Sequence, residues 1–149
     1  MTFSRLVKTA GVVLLSGFFN LATAVETPMT LDGATTVTAD QVKQMMDKGV
    51  PVIDARTATE FAEGHVKGAT LVAYKEKSEK KVGFDAAADK FDLSKLPADK
   101  SAPVVLYCNA GDCWKSFKAG TMAIKAGHTK IQWMRGGFPE WKSKGYPVE

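Results

Sequence analysis

"APVVLYCNAGDCWKSFKAG", residues 102–120, passes from a buried-strand pattern through a glycine-containing turn into a helix pattern, and its reading decides the fold. "VVLY" is a short, unbroken apolar run, the pattern of a strand covered on both faces. Beyond Trp114 the period changes, with Phe117, Thr121 and Ile124 spaced along one helical face and Gly127 as a stop. A strand that turns directly into a helix is one unit of a parallel α/β sheet. Both cysteines of the chain, Cys108 and Cys113, fall within it.

The same alternation extends outward. "TTVTADQVKQMMDKG" (35–49) places Thr38 and Gln41 at capping-box spacing, Val42, Met45 and Met46 on one face, and Gly49 at the end. "VPVIDA" (50–55) is a second buried strand, and "TATEFAEG" (57–64) repeats the capping box with Thr57 and Glu60. "GATLVAY" (68–74) is a strand, and a short helix is expected around Phe84–Phe91 before a loop to Pro97. Beyond the opening unit, "TKIQWM" (129–134) is a strand and "GGFPEWKSKG" (136–145) a helix with Pro139 early and Gly145 at its end. The expected architecture is a three-layer α/β domain, an open parallel sheet with helices on both faces.

The chain has 149 residues, which suits one domain, and its first 24 read as a leader. Arg5 and Lys8 precede the apolar run "AGVVLLSGFF", and small residues at Ala22–Ala24 precede Val25. That layout predicts a secretory signal peptide cleaved after Ala24, leaving a domain at 25–149 exported to the periplasm. The apolar run is short of the roughly 20 residues a membrane span needs, and no second one follows. No stable membrane association is therefore expected after cleavage. Net charge is +4, and Arg5 and Lys8 leave with the leader, too little excess to argue for nucleic acid. The charged run "YKEKSEKKVGF" (74–84) is mixed in sign and reads as a solvated loop.

In open α/β sheets ligands gather beyond the carboxyl ends of the strands, where Cys108 sits. Amides of the turn and of the first helical turn favour an anion there, and a thiol so placed has its ionised form stabilised. Gly111 lets the loop pass where a side chain would obstruct it. On position alone, Cys108 is either this nucleophile or a small buried residue closing a strand. The pair is not a thioredoxin-type motif, having four intervening residues rather than two, and shows no metal-ligand spacing with His65 or His128. No metal site is expected from that spacing.

Three segments resemble the single-domain rhodanese-like (sulfurtransferase) family. "VIDARTATEFAEGHVKGA" (52–69) is similar to its N-terminal signature through Asp54, Arg56, Glu60, Phe61, Gly64, His65, Gly68 and Ala69. "GGFPEWKSKGYPV" (136–148) is similar to its C-terminal signature through Gly136, Gly137, Trp141, Gly145 and Pro147. "VVLYCNAG" places Cys108 where the family keeps its nucleophile. The resemblance implies a Cys108 persulfide, charged by a donor such as thiosulfate and discharged to a thiol acceptor. It also implies a substrate-binding loop of Asn109, Ala110, Gly111, Asp112, Trp114, Lys115 and Ser116, and chemistry that needs no metal and no organic cofactor. Asp54 and Arg56 read as partners within the fold, His65 as a turn-fixing residue, Trp141 and Phe138 as core, and His128 as exposed.

The loop departs from the family pattern. Position 113 holds the second cysteine where many active members carry Arg, Asp112 adds negative charge, and the cation comes only at Lys115. Losing the rigid arginine fork weakens the case for thiosulfate itself, while Asp112 either repels an anionic donor or caps the following helix. The Cys-Trp pair resembles an exported subset of the family, some linked with periplasmic oxidation systems, which suggests a periplasmic protein partner. Three readings of Cys113 stand: a resolving thiol for Cys108, a structural disulfide partner that makes the domain a non-catalytic binding module, or a filler of the first helical turn.

Overall fold

The computed structural model describes residues 25–149, so the expected leader at 1–24 lies outside the described residues. The elements in order are β1 (Ala34–Thr36), α1 (Ala39–Asp47), β2 (Val52–Asp54), α2 (Ala58–Glu63), β3 (Thr70–Leu71), β4 (Val104–Tyr107), α3 (Lys115–Lys125), β5 (Ile131–Met134) and α4 (Gly137–Ser143). Five parallel strands form one sheet in the order β1-β5-β4-β2-β3. Strand periodicity of two divides the core between its faces. Val52, Val105, Tyr107 and Met134 pack with Val42 of α1 and with Phe138 and Trp141 of α4. Ile53, Val104, Leu106 and Ile131 pack on the other face with Ala119 and Ala123 of α3. The three-layer α/β architecture is the one the sequence predicts.

Both capping boxes form. The Thr38 hydroxyl accepts from the Gln41 amide, whose side chain accepts from the Thr38 amide, and Thr57 and Glu60 repeat the arrangement. Each satisfies orphan helix donors, and such a cap is typically worth about 1 kcal/mol.

Several elements differ from expectation. Strand β1 is legible only in the fold: it is a three-residue edge, with Ala34 partly buried and Thr35 and Thr36 exposed, that gains its conformation by pairing with β5. β3 is shorter than "GATLVAY", although the ladder continues from the Val72 amide to Asp54 O (3.0 Å) and from the Tyr74 amide to Ala55 O (3.1 Å). In place of a helix at 84–91 there are 3₁₀ turns at Ala86–Ala88 and Leu93–Lys95. Asp85 and Asp92 accept from amides two residues on, and that local bond competes with helix propagation.

α3 is buried over a wider face than a Phe117–Thr121–Ile124 stripe, since Ser116, Lys118, Ala119, Gly120 and Ala123 are buried too. The chain on either side of it is the cause. Leu31 presses on Gly120, where a Cβ would lie 2.7 Å from its methyl, and the 76–78 loop closes over Lys118. His128, expected to be exposed, is buried. Its amide bonds to Ala123 O (3.0 Å), and Lys100 crosses the helix end by donating to Ala126 O, while Nδ1 has no partner. Burial and Lys100 both hold its pKa below 6.5. Among the described residues no helix is long and apolar enough to cross a membrane.

Candidate active site

Cys108 follows β4 and is fully buried, whereas Cys113, on the turn before α3, is half-buried. The two are joined as a disulfide with Cα atoms 6.4 Å apart. Of the readings open for Cys113, that of turn filler is therefore set aside. The turn is tied by the Cys113 amide donating to Ala110 O (2.9 Å). That amide is spent internally, and the hydrogen-bond donors at the Cys108 sulfur are the amide and hydroxyl of Ser116, while the Cys113 carbonyl oxygen lies 3.4 Å from the same sulfur.

Those groups are well placed. The Ser116 amide lies 3.3 Å from Cys108 Sγ and its hydroxyl oxygen 3.0 Å. Trp133, buried on β5, donates its indole N–H to Ser116 Oγ (3.0 Å). The hydroxyl thus accepts from the indole and donates toward the sulfur, a polarity that stabilises a thiolate. The sequence placed Ser116 in the loop, but Trp133 read only as a strand residue. Its indole fixes the orientation of the Ser116 hydroxyl.

A second set of contacts fastens the loop to its surroundings. Asn109 Nδ2 donates to Glu60 Oε1 (2.7 Å), and Glu60 Oε2 accepts from the Thr57 amide (3.0 Å) and hydroxyl (2.9 Å). Partial burial raises the Glu60 pKa, but these bonds and the charge of Lys115 outweigh it and hold the carboxyl at about 2. Gly111 passes so close to Arg135 that a Cβ would lie 2.7 Å from its guanidinium nitrogens. Arg135 donates in turn to Pro28 O (2.9 Å) and Thr27 O (2.9 Å) and pairs with Glu26 (3.2 Å). Thr27 returns its amide and hydroxyl to Gly111 O (2.8 and 2.7 Å), and the Trp114 indole donates to Val25 O (2.8 Å). Residues 25–28 therefore form a strap across the loop. Nothing in the local pattern of Arg135 announced it.

Gly137 lies under the same loop. Gly137 has φ +62°, and a Cβ there would collide with the carbonyls of Cys108 and Asn109, while the Phe138 amide donates to Cys108 O (2.9 Å). Asp112 is exposed and does not cap α3, whose N-cap is Trp114 with no side-chain bond, because the turn ends two residues later than a cap at 112 requires. Trp114 packs its ring against Phe117 and also lines the cleft beside Cys113.

A cleft of about 230 Å³ opens on the Cys113 side of the loop. Asn109, Asp112, Cys113 and Lys115 form one wall, and Glu76 and Lys80 the other. The rim is mixed in sign. Its far wall is anchored by Lys118, whose fully buried Nζ lies 2.8 Å from Glu76, 2.8 Å from Ser78 Oγ and 3.8 Å from Asp89. Asp89 also accepts from the Ser78 hydroxyl, the Lys77 and Ser78 amides and the Tyr74 hydroxyl, which despite burial together hold its carboxyl well below the usual range.

Asp54 and Arg56 are scaffold, as expected. Arg56 Nη2 donates to Asp54 Oδ2 (2.7 Å) and Gly64 O (2.7 Å), and the Tyr107 hydroxyl donates to the same carboxylate (2.5 Å). Burial first, then the Asp54 charge, push the Tyr107 hydroxyl pKa up. His65 stacks on Phe61 and bonds its carbonyl through Nδ1 (2.8 Å), and Phe138 and Trp141 are core. Among the described residues no cluster of three or more His, Cys, Asp or Glu side chains is arranged to hold a metal ion.

Residues 38–144 match the family model of the rhodanese-like domain. The thiosulfate sulfurtransferase GlpE of Pseudomonas aeruginosa is 29% identical over 113 residues, covering 76% of this chain and 87% of that protein. Thiosulfate sulfurtransferase 16, chloroplastic, of Arabidopsis thaliana is also 29% identical, over 65% of this chain and 78% of its own length. Among solved structures, the BH2092 protein of Bacillus halodurans superposes with a TM-score of 0.57 at 19% identity, covering 77% of this chain and 76% of that one. The human single-domain sulfurtransferase TSTD1 superposes with a TM-score of 0.53 at 21% identity, covering 73% and 96%.

Proposed function

Since this chain belongs to the rhodanese-like domain family, we propose that it moves sulfane sulfur through Cys108 from a small anionic donor such as thiosulfate to a thiol acceptor. The observation that carries the reading is the sulfur of Cys108 at the carboxyl end of β4, faced by the amide and hydroxyl of Ser116. Once the disulfide has been reduced by an external thiol, the Cys108 thiolate attacks the outer sulfur of thiosulfate. The sulfur–sulfur bond of the donor breaks, sulfite leaves, and Cys108 holds a persulfide that a thiol then discharges. Ser116 stabilises the negative charge before and after transfer, and Lys80 and Lys115 at the rim attract the donor while Glu76 and Asp112 oppose it. We place this activity in the periplasm, on a chain cleaved after Ala24, because the leader pattern supports export and an oxidising compartment suits the closed pair.

A second reading rests on the closed pair itself: with Cys108 buried behind Cys113, the domain is a redox or partner-binding module for a periplasmic oxidation system. Intact mass spectrometry of reduced Cys113→Ser exposed to thiosulfate separates the two. Sulfur transfer requires a gain of one sulfur atom that Cys108→Ser does not show. No gain, with a wild-type disulfide that resists mild reductant, sinks the transfer reading in favour of the closed module.

A further inference from the structure

The second cysteine changes what such a site can release. Cys113 Sγ is placed to bond Cys108 Sγ itself, which in a loaded enzyme is the inner sulfur of the persulfide. We propose that Cys113 is the resolving residue of the reaction, so that this chain discharges its sulfur as hydrosulfide and itself becomes oxidised, with an external thiol as the reductant. The proposal rests on the reading of Cys108 as the sulfur-carrying nucleophile.

The steps balance. Cys108 thiolate takes the outer sulfur of thiosulfate and sulfite leaves. The Cys113 thiol passes its proton to the outer sulfur and attacks Cys108 Sγ as the thiolate, the Cys108–Cys113 bond forms, the bond to the outer sulfur breaks, and hydrosulfide leaves with that bond's electron pair. A thiol in its ionised form then attacks the disulfide, and a second thiol completes the reduction. In sum, thiosulfate and two thiols give sulfite, hydrogen sulfide and the thiols' disulfide.

Three features of the structure favour this course. The disulfide that ends the resolving step forms with Cα atoms 6.4 Å apart, within the span disulfides ordinarily bridge. Resolution is therefore intramolecular and needs no large rearrangement, the condition under which a neighbouring group outcompetes a dissolved acceptor. The two sulfurs are also unequal towards an outside thiol. Cys108 is fully buried, whereas Cys113 is half-buried and lines the open cleft with Asn109, Lys115, Glu76 and Lys80. An incoming thiolate reaches Cys113, and the displaced group is Cys108, whose developing charge is received by the Ser116 amide at 3.3 Å and hydroxyl at 3.0 Å. A stabilised thiolate leaves faster, so the reducing step also runs in the direction the burial dictates.

The test is a single turnover of anaerobically reduced, desalted protein with thiosulfate and, in parallel, glutathione persulfide, read by hydrosulfide release and intact mass. Wild type is expected to release about one hydrosulfide per chain, to retain no extra sulfur, and to end two hydrogens lighter. Cys113→Ser and Cys113→Ala are expected to keep one added sulfur and to release none beyond what the donor sheds in a Cys108→Ser control. If wild type instead retains the sulfur with Cys113 open to alkylation, the resolving role falls while sulfur transfer stands. If neither Cys113 variant loads sulfur from either donor, both readings fall. Reduction is read separately: brief glutathione treatment of the oxidised protein, acid-quenched and mapped, is expected to leave glutathione on Cys113 and a free Cys108. Glutathione found mainly on Cys108 overturns the assigned direction of attack.

Discussion

Asp54 ends β2 and Cys108 follows β4, and the two positions are neighbours across the sheet, with Asp54 in register with Tyr107. At the end of β2 every strong polar group is paired. Asp54 receives Arg56 and the Tyr107 hydroxyl, Arg56 also reaches Gly64 O, and its guanidinium lies 4.3 Å from the centre of the Phe138 ring. At the end of β4 the sulfur meets two donors from one serine and a partner cysteine that faces a cleft. A buried set that satisfies itself has nothing left to offer a ligand, while a set with an exposed, exchangeable bond does. The difference separates scaffold from chemistry at two adjacent strand ends in one sheet.

That contrast predicts where substitutions are felt, beginning with the largest effect. Asp54→Ala strands a buried guanidinium, and unfolding in urea should show a loss of about 3–5 kcal/mol with sulfur loading of the remaining folded protein unchanged. A loss under about 1 kcal/mol breaks the comparison, for it makes the β2 end as dispensable as a surface ion pair. Lys118→Met removes the cation between half-buried Glu76 and buried Asp89, and should cost about 3 kcal/mol in the same measurement. Because Glu76 is also a cleft wall, this variant should slow reduction of the disulfide by glutathione, a rate that Asp54→Ala should leave unchanged, which sharpens the boundary between the two regions.

Glu60 joins them, as cap of α2 and acceptor for Asn109 of the loop. Glu60→Gln should cost about 1 kcal/mol, the scale of one helix cap. Its pH signature is more telling. The folded carboxyl stands at about 2, below its ordinary 4.5, so the fold favours the ionised form. The stability it contributes is complete above pH 4.5 and is lost as pH falls toward 2. Acid titration of unfolding should show that slope in wild type and a shallower one in Glu60→Gln. The smallest effect concerns His128, far from either strand end. Its lowered folded pKa means that stability is present above pH 6.5 and declines below it as the unfolded chain binds the proton. His128→Leu should flatten that step, and persistence of the full step assigns it to another group.

Much of this molecule was legible before folding. "VVLY" and "VPVIDA" announced central strands because burial on both faces leaves an unbroken apolar run, and Thr38–Gln41 and Thr57–Glu60 announced helix starts because a capping box lies within four residues. Cys108 at a strand end, Ser116 beyond it and the Asp54–Arg56 pair were marked by position and by the family signatures around them. Strand β1 was not, since a short polar edge has no period of its own and depends on β5 for its hydrogen bonds. The helix expected at 84–91 gave way to turns because Asp85 and Asp92 offered the backbone nearer partners.

The sequence by itself determined the alternation of strands and helices and the placing of a cysteine at the end of a buried strand, because these are written in residues a few positions apart. Only the tertiary structure decided that Trp133 orients Ser116, that Arg135 fastens residues 25–28 over Gly111, that Lys118 and His128 are buried, and that Cys113 closes on Cys108. Apart from the last, those contacts join residues that are distant in the chain or settle under segments arriving from elsewhere. Closure of the cysteine pair spans only a short turn, yet it requires β4 and α3 to hold the ends of that turn at a fixed separation, and packing of the two elements against the sheet supplies that separation.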